Sequence, residues 1–202
     1  MNLLLAVLIF WGANFFKGKP VTLTTTVGYV KTDSPADSIG FMKGDVIKTI
    51  NGVAVDNWDD LRAEIYINTI GDDLNIKVLR NGIEESIFVS RKMIPDIEKQ
   101  GELISPDGYR PYVAEVMKDS PAEKAGLLSG DIVYSLNDNV LGGSSEFIEI
   151  VSQSAGVELQ AKVVRASDTL NLALIPGSDG KIGIAINDIF EGRSEYKTFG
   201  FF

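Results

Sequence analysis

The sequence contains neither histidine nor cysteine in its 202 residues. Without these residues the chain has no Cys-His nucleophile, no Ser-His-Asp triad, no thiolate metal site and no disulfide. Sites built from carboxylates remain open, but no group of Asp and Glu follows the calcium-loop pattern of alternating ligands closed by a Glu. We therefore expect no catalytic residue and no metal site in this chain.

Positive charge is also scarce. The 19 lysine and arginine residues are outnumbered by 28 aspartate and glutamate residues, which gives a net charge of −9 and a pI of about 4.6. Nucleic-acid binding requires clustered cationic side chains that neutralise phosphates, and no run of Lys or Arg forms such a stripe. We expect no nucleic-acid partner. The balance of 45% hydrophobic and 23% charged residues is typical of globular proteins.

Polar side chains are few in the first 16 residues, where Asn2 and Asn14 are the clearly polar ones. The run from Leu3 to Trp11 is apolar on every face, so it does not read as an amphipathic helix. A helix from Leu3 to Phe16 would cover roughly 21 Å, less than the roughly 30 Å hydrocarbon core of a bilayer. The charge and cleavage site of a signal peptide are not evident. We interpret residues 1–16 as the end of a truncated transmembrane helix, with a signal-peptide h-region and a buried core helix as alternatives.

The chain carries one module twice. Asp33-Ser34-Pro35-Ala36 recurs as Asp119-Ser120-Pro121-Ala122, and Gly44-Asp45 recurs as Gly130-Asp131, both at a distance of 86 residues. Beyond the following helix the distance falls by one, so one residue has been gained or lost in a loop, where such a change costs least. A supersecondary unit repeated in this way predicts two copies of one fold.

Both copies predict the same order of elements from their turn, cap and strand signals. In the first copy we expect strands at Val27–Thr32, Val46–Ile50, Val53–Val55, Leu74–Leu79 and Ile83–Ser90, and helices at Pro35–Gly40 and Trp58–Asn68. In the second we expect strands at Tyr112–Met117, Ile132–Leu136, Glu158–Val164 and Thr169–Ile175, and helices from Pro121 and at Glu146–Ser154. A further strand is expected at Ile182–Ile186.

These elements predict a mainly β (α+β) protein. It comprises two tandem modules, small β-barrels or sandwiches with short helices, after an N-terminal apolar helix. The expected boundaries are 24–92 for the first module, 93–109 for a linker with a possible carboxylate-binding loop, 110–176 for the second module and 177–202 for a C-terminal extension. Asp45 and Asp131 occupy equivalent points of the two modules, so we interpret them as duplicated turn residues rather than a catalytic pair.

The string from Asp119 to Leu127, followed by Gly130-Asp131-Ile132-Val133, resembles the signature of bacterial PDZ domains. The first copy departs from it, with Ile39-Gly40-Phe41 where Ala-Gly-Leu is usual. In that family an extended peptide adds to the edge of a strand and lies against a helix. Its C-terminal carboxylate is held by the N–H groups of a glycine-containing loop. An exposed strand edge has the unpaired backbone groups for this purpose.

The resemblance implies a peptide-binding site in the second module. Its receiving strand would consist of Val113, Ala114, Glu115 and Val116, its helical wall would include Phe147 and Val151, and its carboxylate loop would include Gly101, Leu103 and Ile104. The first module has no glycine ahead of its strand, so we expect peptide ends at the second module. Phe147 and Val151 have a second interpretation as core residues, because an amphipathic helix must bury its apolar face.

Two PDZ-like modules after an apolar segment beginning Met1-Asn2-Leu3-Leu4 are similar to the extracytoplasmic region of site-2 proteases of the RseP type. In that family a membrane-embedded zinc enzyme cuts transmembrane helices in regulated intramembrane proteolysis, and the tandem screens its substrates. The resemblance implies zinc in the parent enzyme and no cofactor in this fragment. It also implies membrane-protein substrates or peptide C-termini as partners, and a membrane anchor with the modules on the periplasmic side. The alternatives are a PDZ scaffold of a secretion or envelope assembly protein and the PDZ appendage of an HtrA-type serine protease.

Overall fold

The structure is a computed structural model that describes residues 19–97 and 102–197. The apolar segment at residues 1–16, the loop residue Gly101 and the aromatic end from residue 198 onward lie outside the described residues. Within the described ranges, no helix combines the length and the hydropathy that crossing a membrane requires.

The first module consists of short antiparallel strands and helices. Strand β1 (Lys19–Thr22) precedes the module. The elements of the module are β2 (Val27–Tyr29), α1 (Pro35–Ile39), β3 (Val46–Ile50), β4 (Val53–Ala54), α2 (Trp58–Ala63), β5 (Leu74–Arg80), β6 (Ile83–Val89) and β7 (Ser105–Pro106). Helix α2 continues as a π-helix over Glu64–Asn68, and a 3₁₀ turn at Arg91–Met93 follows β6. Strands pair in the order β4-β3-β5-β6, and β2 pairs separately with β7.

The second module repeats this order. Its elements are β8 (Tyr109–Val116), α3 (Pro121–Lys124), β9 (Ile132–Leu136), β10 (Asn139–Val140), α4 (Ser144–Gln153), β11 (Leu159–Arg165), β12 (Asp168–Leu174) and β13 (Ile184–Phe190). Strand β14 (Ser194–Lys197) follows the module. The sheet has the order β12-β11-β9-β8-β13, with β10 paired to β9. The predicted fold class of two mainly β modules is confirmed for the described residues.

The repeated Ser-Pro signature starts a short helix in each module. Ser34 Oγ accepts a hydrogen bond from the Asp37 N–H, and Ser120 Oγ accepts one from the Glu123 N–H, both at 3.2 Å. The proline that follows each serine lies in the first turn, where its missing N–H is not needed. Because these interactions lie within a few residues of chain, the helix start could be predicted from sequence.

An ion pair between an arginine and a buried aspartate also occurs twice. Arg80 Nε lies 2.7 Å from Asp45 Oδ1, and Arg165 Nε lies 2.7 Å from Asp131 Oδ1. Neither aspartate has exposed side-chain surface. Each arginine also donates to the carbonyl of the glycine that follows the short helix of its module, Arg80 to Gly40 and Arg165 to Gly126. The pairs therefore connect the turn that contains each aspartate to the end of β5 in the first module and of β11 in the second. This agrees with the interpretation of Asp45 and Asp131 as duplicated turn residues.

The last strand of each module comes from a segment that lies outside the sequence repeat. The paired residues are Val27 with Pro106 and Tyr29 with Ser105 in the first module, and Val113 with Ile186 and Glu115 with Ala185 in the second. Strands β7 and β13 are thus equivalent. The prediction that residues 93–109 form a linker and that residues 177–202 follow the second module is wrong for these two strands, because their partners are distant in sequence.

Each module buries its own core, and the last strand contributes to it. Leu103 and Ile104, just ahead of β7, are buried among the residues of the first core. Ile182, just ahead of β13, is buried in the second core. Each module is therefore complete only when the segment after its last hairpin has folded back.

The two ends of the described chain meet in an antiparallel ribbon. Strand β1 pairs with β14, with Lys19 opposite Lys197 and Thr22 opposite Ser194. In an antiparallel pair of this register the chain before Lys19 and the chain after Lys197 leave from the same end of the ribbon.

Candidate functional site

Strand β8 has neighbours on both sides and offers no edge to a peptide. It lies between β9 and β13 in the sheet. The Val113 N–H donates to the Asp131 carbonyl, and the Val113 carbonyl accepts from the Gly130 N–H, both at 2.8 Å, while Ile186 lies opposite on the other side. The prediction that Val113, Ala114, Glu115 and Val116 receive a peptide is therefore wrong, because β13 already fills that place. Among the described residues, β13 is the edge strand on this side of the sheet, and β12 is the edge strand on the opposite side.

The helix beside β13 is α4, but its groove face differs from the predicted one. Phe147 and Val151 are 2% and 4% exposed and belong to the core of the second module, so of their two interpretations the core is correct. One flank of the helix carries Ser144, Ile148 and Ser152 at spacings of four residues. Of these, Ile148 is 53% exposed.

Contacts at both ends of this flank show that it faces β13. The N–H and Oγ of Ser144 donate to the two carboxylate oxygens of Asp188 in β13, at 2.6 and 2.8 Å. At the other end, a Cβ atom on Gly180 would come within 2.8 Å of the Ser152 carbonyl oxygen, so the loop ahead of β13 touches the end of α4. Ile148 is four residues from each of these two contacts, so its exposed side chain lies on the flank of α4 that is turned towards β13.

The loop that enters β13 contains Gly183 between Ile182 and Ile184. The carbonyls of Ile182 and Gly183 accept hydrogen bonds of 2.9 Å from the N–H groups of Ala122 and Met117, which hold the loop against the start of α3. Gly183 has φ of +76°, and a Cβ atom there would lie 2.6 Å from Ser120 Cβ, so a glycine is required. Among the described residues, no acceptor pairs with the Gly183 N–H.

The predicted carboxylate loop belongs to the other module. Leu103 and Ile104 are 7% and 4% exposed in the first core, and Gly101 lies outside the described residues. The sequence signal for the loop that enters β13 is an isolated glycine, Gly183, between two isoleucines. Gly183 follows the last repeated strand, whereas the family resemblance implies a carboxylate loop ahead of each copy.

The PDZ domain family matches this chain at residues 15–90 and 96–175. The chain belongs to the PDZ domain family. It is 27% identical to the protease RseP of Yersinia pestis over 215 aligned residues, covering 98% of this chain and 47% of that protein. It is also 27% identical to the regulator of sigma-E protease RseP of Escherichia coli over 195 residues, covering 92% and 43%. These matches confirm the predicted resemblance to the tandem PDZ region of RseP-type proteases.

The relatives are much longer than this chain, which spans less than half of either RseP protein. A weaker similarity exists to the periplasmic pH-dependent serine endoprotease DegQ of Escherichia coli, at 24% identity over 162 residues, covering 73% of this chain and 35% of that protein. The stronger coverage by RseP proteins favours the RseP type of tandem over the HtrA type.

The two PDZ modules touch each other through α4. Lys43 Nζ of the first module lies 2.8 Å from Glu146 Oε1, and the Tyr29 hydroxyl donates to Glu149. Hydrogen bonds from Thr32 and Tyr29 hold the pKa of Glu149 below its usual value. The backbones also meet, since a Cβ atom on Gly142 would lie only 2.1 Å from the carbonyl oxygen of Gly28.

A cleft of about 1090 Å³ opens between the two PDZ modules. The first module lines it with Trp58, Arg62 and Glu102, and the second lines it with Gly143 and Asp188, among others. Ile148 lines an adjoining cavity of about 450 Å³, together with the loop of the first module at Lys31–Asp33. The groove face of α4 therefore looks into the space between the modules.

The residues do not fit a zinc site. The chain has no histidine or cysteine. Within residues 19–97 and 102–197, no three acidic side chains lie together in a way that could hold a metal ion. Any zinc ion of a larger RseP-type enzyme would take its ligands from outside this sequence.

Proposed function

We propose that this chain is the substrate-screening region of an intramembrane zinc metalloprotease of the RseP type, and that its second PDZ module binds extended peptide ends. The near-complete coverage by RseP proteins supports the first part. The second part rests on one observation, the free edge of β13 beside the exposed wall residue Ile148.

A peptide would bind as an added strand antiparallel to β13. Its backbone would pair with the free edge of β13, since edge strands have unpaired N–H and C=O groups. Its terminal carboxylate would accept a hydrogen bond from the Gly183 N–H group, whose direction is set by the positive φ of that glycine. An apolar side chain near the peptide end would cover Ile148 and remove its surface from water.

Screening would follow from the size of the space in front of the groove. A neighbouring strand lies roughly 4.8 Å from its partner, so an extended segment fits a cleft of about 1090 Å³. A folded domain of about 100 residues has a radius of gyration of roughly 13 Å and would be excluded. Membrane-protein substrates with an extended end would pass, and those with a folded ectodomain would not.

The ribbon of β1 and β14 supports attachment of the tandem to a membrane at both ends. The chain before Lys19 and the chain after Lys197 leave from one end of this ribbon. Residues 1–16 would form the end of a transmembrane segment, with the modules on the periplasmic side. This arrangement would place the cleft above the membrane-embedded site of the parent enzyme.

The test of the groove is a peptide titration of the full chain in detergent. The probe is a fluorescein-labelled hexapeptide ending in valine with a free carboxylate. Ile148→Glu should weaken binding by about tenfold or more, because burial of an isoleucine contributes about 1.5–3 kcal/mol. Val157→Glu, at another exposed position, should leave binding unchanged. Equal affinity of wild type and Ile148→Glu, with both folded by circular dichroism, would refute the groove.

A further inference from the structure

The groove face of the helix differs between the two PDZ modules. At the distance of 86 residues that relates the modules, Trp58, Arg62 and Tyr66 correspond to Ser144, Ile148 and Ser152. The first module thus carries three large side chains where the second carries two serines and an isoleucine. Large side chains on this face reach across a groove, whereas small ones leave it open.

The three large side chains cross to the segment that enters β7. Trp58 Nε1 donates to Glu102 Oε2 at 3.1 Å. Arg62 Nε lies 3.0 Å from Glu102 Oε1. The Tyr66 hydroxyl oxygen accepts a hydrogen bond of 2.6 Å from the Leu103 N–H. The helix and the edge strand of the first module are therefore bridged along the whole groove face.

Leu103 stands at the position of the loop glycine. It lies two residues before Ser105, as Gly183 lies two residues before Ala185, and these two paired residues are equivalent. In the second module the N–H at this position has no acceptor among the described residues, whereas in the first module it is already bonded to Tyr66.

The backbone that carries Tyr66 is held in an uncommon form. Tyr66 lies in the π-helical segment Glu64–Asn68, and such segments are rare and concentrate at functional sites. The wide turn changes the hydrogen bonding of nearby backbone carbonyls, and two of these carbonyls accept hydrogen bonds from side chains. Arg91 Nη1 donates to the Ile65 carbonyl at 3.1 Å, and Thr69 Oγ1 donates to the Glu64 carbonyl.

We propose that Trp58, Arg62 and Tyr66 close the groove of the first PDZ module by bridging to Glu102 and Leu103. A peptide carboxylate then reaches that module only when the bridge opens. The bridge therefore determines which module binds a peptide C-terminus. This role rests on the peptide groove proposed for the second module. Closure itself is a property of the first module alone.

Tyr66 is partly buried where its hydroxyl oxygen meets the Leu103 N–H group. Burial raises the pKa of the Tyr66 phenol above its ordinary value, while the hydrogen bond from Leu103 acts in the opposite direction. The phenol therefore stays neutral across the physiological pH range, and its oxygen remains an acceptor for the Leu103 N–H.

Closure is tested by amide hydrogen exchange in the full chain, read by NMR at Leu103. Tyr66→Phe removes the acceptor and keeps the ring, so exchange at Leu103 should accelerate about fivefold or more while β5 and β6 exchange as before. Ile67→Ser, at the neighbouring exposed position, should leave Leu103 unchanged. Unchanged exchange in Tyr66→Phe would overturn the proposal. This readout needs no peptide, so it stands apart from the test of the second groove.

Choice between modules is tested by opening the first groove in a chain whose second groove carries Ile148→Glu. The opening variant combines Arg62→Ile and Tyr66→Ser, which are the second module's residues, with Glu102→Gln, since an unpaired Glu102 would repel a peptide carboxylate. It should restore binding of the valine-ending hexapeptide at least tenfold over the blocked chain. Faster Leu103 exchange without restored binding would contradict the role of the bridge in selecting the module.

Discussion

At the scale of single residues, the duplicated ion pairs give the repeated aspartates a role in stability. Burial alone would raise the pKa of Asp131, but hydrogen bonds from Arg165 and from the Leu128 N–H, together with the arginine charge, lower it. A carboxyl group whose pKa falls on folding stabilises the protein above its unfolded pKa of about 3.9. That stabilisation is lost as the pH falls through the lower, folded value.

We predict that Asp131→Asn lowers the free energy of unfolding by about 1.5 kcal/mol at neutral pH, because the buried carboxylate loses the charged hydrogen bonds that Arg165 donates to both of its oxygens. Urea titrations at pH 7 and at pH 3 measure this. The difference between wild type and variant should shrink at the acid pH, because the unfolded carboxyl group, with a pKa of about 3.9, is then largely protonated. Asp138→Asn, in an exposed turn, is the control and should change little. A variant as stable as wild type at pH 7 would remove the proposed role of the pair.

At the scale of elements, three consecutive residues of α4 lie on three different surfaces of the helix. Phe147 faces the core, Ile148 is exposed on the flank that carries Ser144 and Ser152, and Glu149 contacts the first module. The loop before β13 is adapted to this helix in the same way, since Gly183 lets its backbone approach α3 closely. The peptide binding that we propose therefore depends on the pairing of one helix with one late strand.

We predict that Gly183→Ala weakens peptide binding by about tenfold and destabilises the second module, because the new Cβ meets Ser120 at 2.6 Å and the backbone has positive φ. Gly156→Ala is a matched control, with φ of +70° and no atom within 4 Å of the new Cβ. It should cost about 1–2 kcal/mol of stability from backbone strain alone and should leave the affinity intact. Peptide titration and thermal unfolding of both variants distinguish the two effects, and equal affinities would contradict the loop assignment.

At the scale of the whole molecule, the two PDZ modules pack through backbone as well as side chains. Gly28 and Gly142 approach so closely that no side chain fits between them, and Lys43 reaches the largely buried Glu146 across the junction. Such a junction keeps the groove of the second module directed at the first. A size filter requires that fixed geometry, because a freely hinged pair would admit bulky domains.

We predict that Gly142→Ala separates the modules while each stays folded, since its Cβ would lie 2.1 Å from the Gly28 carbonyl oxygen. A zero-length carbodiimide crosslink between Lys43 and Glu146, quantified by mass spectrometry, should fall at least severalfold. Ser145→Ala, in the same turn, should retain the crosslink. If Gly142→Ala crosslinks as efficiently as wild type, the glycine contact does not hold the junction.

The local elements of this protein could be predicted because their causes lie within a few residues. The Asn51-Gly52 hairpin follows from two consecutive residues that tolerate positive φ, and both adopt it. Asn57 caps its helix by accepting from the Asp60 N–H at 2.9 Å. The repeat and the PDZ resemblance extended these local predictions to two complete modules.

The amino-acid sequence alone specifies the two modules, their helix starts and hairpins, and the lack of histidine and cysteine chemistry. The location of the proposed peptide groove depends on tertiary packing. Strands β7 and β13 take their places through pairing with residues some 70 or more positions earlier in the chain, and no local pattern records such a partner. Phe147 and Ile148 are both apolar neighbours in one helix, yet one is core and the other is groove wall. That difference depends on which strand lies beside the helix, and this is settled only when the chain folds back on itself.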